Sequence, residues 1–414
     1  MSRMPPTGAG SDRAPALPGP TISEQEFADR RARARALAAA RGLKGLVVWS
    51  RNATTADWYG DLLYLTNHHT PFPQQADNLP LWSGRGHGVL VLPAEGDAVL
   101  ISDSAEYRED LSTVDDVRIG LNLPALTASV LTELGLEREP LGLVGRESLL
   151  LSSYELLCDA LGTTPRLTSC DDILAGLRMI KSAAELDLMR VAAEIGAETM
   201  GAMLDAVRAG NTEGDVAGEG WRAAARRGAF PYDTAITSGA RSAQFQWARL
   251  PSWDHRRPLE RGDLIHIDLY GPAIEGYWTD FVRSGVVGGD PSAAQKDVLD
   301  GSIEHVQTMI DAIRPGITFG DLWQVGDAWR KANGFAAGPL DAMFPAFGHC
   351  IGLGGSEAPY ITNGAAALVE ENMVIAVETL LSPPGVGGAG FEQDVIVTKT
   401  GCEVITEVCP ARRW

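Results

Sequence analysis

IHIDLYGPAIEGYWTDFVRS, residues 265–284, decides how the rest of the chain is read. It sets Asp268 and Asp280 in two short apolar runs, IHIDLYG and YWTDFVRS. Three runs downstream hold one candidate ligand each: His349 in FGHCIGLGG, Glu378 in MVIAVETLL and Glu392 in GGAGFEQDVIV. Acids and histidines seldom sit in strand-like apolar runs unless something compensates their desolvation. A strand's period of two can turn one side chain of each run towards a shared pocket. Four carboxylates and one imidazole make a hard, oxygen-rich set. Such a set suits two divalent ions sharing bridging carboxylates, with Mn, Fe, Zn or Co as candidates. The plain alternative is that each acid is a strand-end or edge residue facing water.

The order Asp, Asp, His, Glu, Glu, each in its local context, resembles a known family. DLYGPAIEGYWTDFVR is similar to an Asp–Gly–Tyr–Asp–Arg segment, GHCIGLGGSEAP to a Gly-His-Gly-Ile-Gly-Leu segment, and MVIAVE and GFEQDVIVT to two closing Glu segments. The family is the creatinase/aminopeptidase P/methionine aminopeptidase superfamily, the pita-bread metallopeptidases. The likeness is close over about residues 178–410 and looser before them. It implies an α+β fold, with a pita-bread catalytic domain over 176–414 preceded by a smaller α/β creatinase-like domain over 21–175. It implies that Asp268 chelates one metal, that Asp280 and Glu392 bridge two, and that His349 and Glu378 bind the other. It also implies a homodimer in which one protomer's N-terminal domain helps to close its partner's pocket.

The departures from the family bear on chemistry. Its peptidases carry two further histidines near the metals, where this chain has Gln246, or a neighbour, and Ser356 of Ser356-Glu357-Ala358-Pro359. Gln and Ser donate hydrogen bonds but cannot carry a proton at neutral pH. Glu378 or Glu357 is therefore expected to move the proton. The expected activity is that of a dinuclear-metal hydrolase of the aminopeptidase P or prolidase type, cutting a C–N bond in a small or short-peptide substrate with a bridging hydroxide. Similar losses occur in the dimethylsulfoniopropionate lyases, whose Gly-Pro-Arg-Thr-Asn-type segment Gly239-Ala240-Arg241-Ser242-Ala243 loosely resembles. A metal-dependent lyase of a small carboxylate is thus one alternative, and a non-catalytic binding protein on the same fold is another.

Around the metals, Arg283 is expected to hydrogen-bond a ligand carboxylate. His266, two residues before Asp268 on a strand, points the same way and could be an outer partner or a further ligand. Tyr232 and Trp247 flank the expected pocket, where an aromatic face could select an apolar or cationic group.

The chain's 414 residues suggest two domains. Its 45% hydrophobic and 21% charged residues fit a globular protein. A net charge of −19 argues against nucleic acid or an anionic membrane as partner. Five scattered cysteines (Cys158, Cys170, Cys350, Cys402, Cys409) with no CxxC fit a reducing cytoplasm. No run of 18 apolar residues is present, so no membrane span is expected.

Residues 1–20, rich in Pro, Gly, Ser and Ala, read as a flexible tail or a docking arm. Ser23 with Glu26 predicts a capping box and a helix to about Ala40, with Phe27, Ala34, Leu37 and Ala38 on its apolar side. A buried strand follows from Gly45, then a loop over 51–87 rich in aromatics and histidines. That loop either packs in the core or reaches over an active site, and His68-His69 lacks the neighbouring acid or Cys that a metal site would need. Strands to about 121, a helix near 124–134, a strand at 141–145 and a helix over 153–161 complete an α/β alternation. Ser182 with Glu185 predicts a second capping box. Helices are expected over 183–209, 213–227, 292–313 and 319–333, with a strand near 233–237.

Overall fold

The computed structural model describes residues 20–52, 59–70, 72–229, 233–247, 250–271, 273–335 and 344–407. Expectations placed on residues 1–19, Trp58, Tyr232 and Cys409 lie outside the described residues. The N-terminal half runs α1 (Glu24–Ala40), β1 (Gly45–Arg51), α2 (Gly60–Thr66), β2 (His87–Pro93), β3 (Val99–Ser102), β4 (Asp116–Ile119), α3 (Leu123–Glu133), β5 (Pro140–Val144), α4 (Leu151–Leu161), β6 (Arg166–Ser169) and α5 (Asp171–Met179). Its strands form one mixed six-stranded sheet in the order β4-β3-β2-β1-β5-β6.

Ser23 caps α1 by accepting from the Glu26 amide, but the Glu26 carboxylate turns to Arg30 at 2.6 Å, so the capping box is only half made. The buried stripe of α1 is Phe27, Arg30, Ala34 and Ala38, while Leu37 is exposed. Arg30 holds a core position because Glu26 and Glu185 neutralise it and the Tyr64 ring lies 4.2 Å from its guanidinium carbon. The 51–87 segment, expected as a loop, contains α2. Tyr59 gives that helix no side-chain cap, so no start signal marks it. Leu62 and Leu65 of α2 share a buried cluster with Tyr277, Trp278 and Leu353 from the second half.

That half runs α6 (Ala183–Asp205), α7 (Glu213–Arg226), β7 (Asp233–Ser238), β8 (Leu264–Tyr270), β9 (Asp280–Val286), α8 (Ala293–Ala312), α9 (Phe319–Ala332), β10 (Ala346–Cys350), β11 (Glu357–Thr362), β12 (Val374–Leu381), β13 (Ala389–Val397) and β14 (Cys402–Val404). Ser182 and Glu185 make the complete capping box that starts α6. Two antiparallel sheets result, β7-β8-β9 and β11-β10-β12-β13-β14. Helices α6 and α7 pack with Ile236, Ile265, Ile267 and Phe281 of the first sheet. Helices α8 and α9 pack with Ile375, Val377 and Val395 of the second. Helices and antiparallel sheets thus form an α+β unit behind the mixed sheet.

Register decides what meets in the middle. Asp268 pairs with Val282 and Tyr270 with Asp280 across β8 and β9, while Glu378 pairs with Glu392 across β12 and β13. Side chains alternate along a strand, so even-numbered residues of these four strands share one face. That face carries His266, Asp268 and Tyr270, then Asp280 and Val282, then Glu378 and Leu380, then Glu392, and all of them line a single cavity. The odd positions Ile265, Ile267, Phe281, Ile375 and Val377 fill the cores behind. Among the described residues no helix is long and apolar enough to cross a membrane.

Candidate metal centre

The cavity is about 500 Å³ in volume and contains all five expected ligands. Asp280, His349 and Glu392 each offer an atom within 4.8 Å of the other two. Asp268 and Glu378 face the same space, with Glu378 Oε1 3.7 Å from His349 Nε2 and Asp280 Oδ2 3.9 Å from it. His349 Nδ1 lies 3.0 Å from the Cys350 carbonyl oxygen, which can only accept. The proton therefore sits on Nδ1, leaving the Nε2 lone pair aimed at the acids, as a metal-binding imidazole requires. Strand β10 reaches this position through a register shift beside His349. Gly348 permits the shift: at φ 135° its backbone passes so close to β12 that a Cβ would lie 2.0 Å from the Ala376 carbonyl oxygen.

Burial dominates the electrostatics of the cavity floor. Burial raises the Asp268 carboxyl to about 7, against a hydrogen bond from Tyr270. Burial and then Asp268 raise Glu378 to about 8. Asp280 and Glu392 are held well above the ordinary carboxylate range, again by burial and then by the neighbouring acids. Asp268 Oδ1, Asp280 Oδ1 and Glu392 Oε1 are buried without a hydrogen-bond partner. Buried polar atoms are rarely left so. Divalent ions would satisfy these oxygens and reverse the mutual repulsion, so the residues present fit the metals implied for them.

The other expected site residues divide. Gln246 and Ser356, standing where the family's extra histidines would be, both line the cavity, as does Phe245. Trp247 is not among the lining residues: its indole N–H donates to Glu213 and to the Ile236 carbonyl, and Arg241 lies over its ring. Glu357 does not line the cavity either. Arg178 bonds it, Lys181 lies 3.6 Å away and the Gly354 amide donates to it at 2.8 Å. Burial alone would raise its carboxyl, but these two cations outweigh burial and hold it below the ordinary value. Such a carboxylate resists taking up a proton, which corrects the expectation of Glu357 as proton carrier.

Arg283 is a second correction. Three residues after Asp280 on a strand lies on the opposite face. Arg283 is accordingly buried behind the floor, donating to the Glu392 carbonyl oxygen at 2.7 Å and to Gln393 Oε1 at 2.9 Å. It braces the backbone that carries Glu392 and does so through the carbonyl where a carboxylate was expected. Among the described residues of the 51–87 segment none lines this cavity, and His68 is a buried imidazole lowered by burial to about 4.

Two contributors were missed. Tyr270 lines the cavity and hydrogen-bonds Asp268. Asp394 is fully buried and accepts from the Asp280 amide and from Thr279, its carboxyl raised by burial to about 7. Both stand two residues from a ligand, so the strand period applied to Asp268 and Glu392 could have found them. Trp278 and Phe347 also stand two residues from a ligand, but in an irregular stretch and a bulged strand where the period does not fix direction, and Phe344 lies outside any strand.

Comparison with known proteins identifies the family. Residues 187–399 match the model of "Metallopeptidase family M24", and residues 30–180 match that of the "Creatinase/Prolidase N-terminal domain". The chain is 31% identical to the Xaa-Pro dipeptidase of Pyrococcus furiosus over 242 residues, covering 57% of this chain and 66% of that protein, just under two thirds of its length. It is 30% identical to the probable dipeptidase PepE of Mycobacterium tuberculosis over 362 residues, covering 78% of this chain and 90% of that one. Among solved structures, the Xaa-Pro dipeptidase from Bacillus anthracis superposes with a TM-score of 0.74 at 24% identity, covering 92% of this chain and 98% of the other. Dipeptidase PepE from Mycobacterium ulcerans gives 0.72 at 26%, covering 93% and 96%.

Proposed function

The chain belongs to metallopeptidase family M24 and has a pita-bread catalytic fold behind a creatinase-like domain, and from that premise we propose a metal-dependent hydrolase of short peptides. The observation that carries this reading is the convergence of Asp268, Asp280, His349, Glu378 and Glu392 on one cavity, with buried oxygens left unpartnered. Asp280 and Glu392 would bridge two divalent ions, Asp268 would complete one of them, and His349 with Glu378 the other. Such a pair, when bound, would supply a Lewis acid for the substrate carbonyl and would make a water more acidic as the nucleophile.

The chain's own residues do the rest. Glu378, only partly buried at the cavity wall, would pass a proton to the leaving nitrogen. Gln246 and Ser356 offer hydrogen bonds to the peptide but no proton. Phe245, Tyr270, Trp278, Phe344 and Phe347 give the cavity aromatic walls that take an apolar side chain and exclude water. The names of the relatives point to dipeptides, Xaa-Pro among them.

The test is metal content per chain followed by a panel of Xaa-Pro and other dipeptides with Mn, Fe, Co or Zn restored to chelated protein. The expected result is about two ions per chain and dipeptide cleavage that follows the metal. Metal uptake without cleavage of any dipeptide would overturn the peptidase reading. Release of acrylate from dimethylsulfoniopropionate by the same protein would replace it with the elimination chemistry.

A further inference from the structure

The cavity holds a second imidazole that the five-ligand set leaves unused. His266 lies on the same face of β8 as Asp268, one strand repeat away, and lines the cavity. It is 1% exposed, and its Nδ1 has no hydrogen-bond partner. Asp268 Oδ1, Asp280 Oδ1 and Glu392 Oε1 share that signature in the same cavity. A histidine placed there for packing alone would leave a buried polar atom unsatisfied, which opposes folding.

The ring is held in place from behind. Its Cδ2–Nε2 edge rests on Gly390 of β13, so closely that a Cβ at residue 390 would lie 2.8 Å from both atoms. Phe245 covers it at a centroid distance of 6.1 Å. Gly390 stands two residues before Glu392, so the imidazole occupies the strand layer next to that ligand. Residues i and i+2 of a strand project side by side, about 6.6 Å apart, and an imidazole and a carboxylate leaning together can close on one ion.

We propose that His266 is a sixth metal ligand, chelating through Nδ1 the same ion as Asp268. The inference rests on the metal centre proposed above and adds a nitrogen donor to it. A set with one imidazole per ion is softer than four carboxylates and one imidazole, so the site should prefer Fe, Co or Zn to Mn.

The experiment uses cobalt(II) as the probe on the full chain after chelation. Paramagnetic proton NMR shows a strongly shifted, solvent-exchangeable N–H resonance for each cobalt-bound imidazole. Two such resonances are expected in the unaltered protein, one from His349 and one from His266. The His266→Asn variant should keep one, and its cobalt affinity by calorimetry should fall by about 10-fold or more. One resonance in the unaltered protein, or an unchanged affinity in the variant, would overturn the assignment, and the unaltered protein decides even if the variant misfolds. Cleavage of dipeptides with a single resonance would leave the hydrolase reading standing and remove this one. Two resonances with no dipeptide cleaved would do the reverse, and absence of cobalt uptake would remove both.

Discussion

Two groups of acids, wholly or partly buried, receive opposite treatment. Glu357 is met by Arg178 and Lys181, and Arg178 in turn bonds Asp61 of α2 at 2.7 Å. That knot ties the N-terminal half to β11 with the chain's own cations, and its carboxylate is held below the ordinary range. On the cavity floor, burial raises the carboxyls of Asp268, Asp280, Glu378 and Glu392, neighbouring acids raise the last three further, and three of the four keep a buried oxygen unpartnered. Burying uncompensated acids opposes folding. A fold that sets two cations against one acid, while burial and neighbouring acids hold the floor carboxyls up, marks the floor as built for something that binds.

Mutations can separate the two groups. The largest effect is expected from Asp280→Ala, which removes a proposed bridging ligand. Metal content should drop, and dipeptide hydrolysis should fall by about 1,000-fold, the worth of several kcal/mol of charge stabilisation. The metal-free variant should melt no lower than the metal-free parent, because a repelling acid has gone. Retained activity would sink the paired-metal centre. Arg178→Met should do the converse. It leaves Glu357 and Asp61 without their guanidinium, costing about 3–5 kcal/mol in denaturant unfolding while metal per chain is unchanged. An unaltered midpoint would show that the knot contributes nothing to joining the halves. Arg283→Met sits between these cases. It removes the brace behind Glu392 and should weaken metal affinity by about 10- to 100-fold without removing any ligand, measurable by competition with a metal-binding dye.

Much of the floor could be read from the sequence because a strand's period is simple. Asp268, Asp280, Glu378 and Glu392 each interrupt an apolar run, and all point into the cavity. The same rule, applied strictly, would have placed Tyr270 and Asp394 beside them and turned Arg283 away. What stayed hidden depends on contacts between distant segments. Glu357 looks like a free acid until Arg178 and Lys181 fold against it. Arg30 looks like a surface residue until Glu185, 155 positions later, meets it in the core. The walls from Trp278, Phe344 and Phe347 come from irregular or bulged segments, where no period tells which way a side chain points.

The smallest effect is on pH-dependent stability, and it sets the two groups against each other in one curve. Asp268 and Glu378 titrate near 7 and 8 in the folded, metal-free chain, against ordinary values of 3.8 and 4.5. Between about pH 4 and 8 the folded state then binds more protons than the unfolded one, so stability falls as pH rises through that window. Glu357 acts the other way: its lowered value gives stability that is present above pH 4.5 and lost as pH falls through the folded value. The metal-free protein should therefore melt highest in mildly acidic solution and lose a few degrees by pH 8. Zinc should abolish the loss on the neutral side, since bound ions take the place of the protons, and leave the acidic side unchanged. In the Glu378→Gln variant the neutral-side slope should shrink without metal. A melting temperature that is flat from pH 5 to 8 in the metal-free parent would mean that the floor acids find compensation within the chain, and the contrast with Glu357 would disappear.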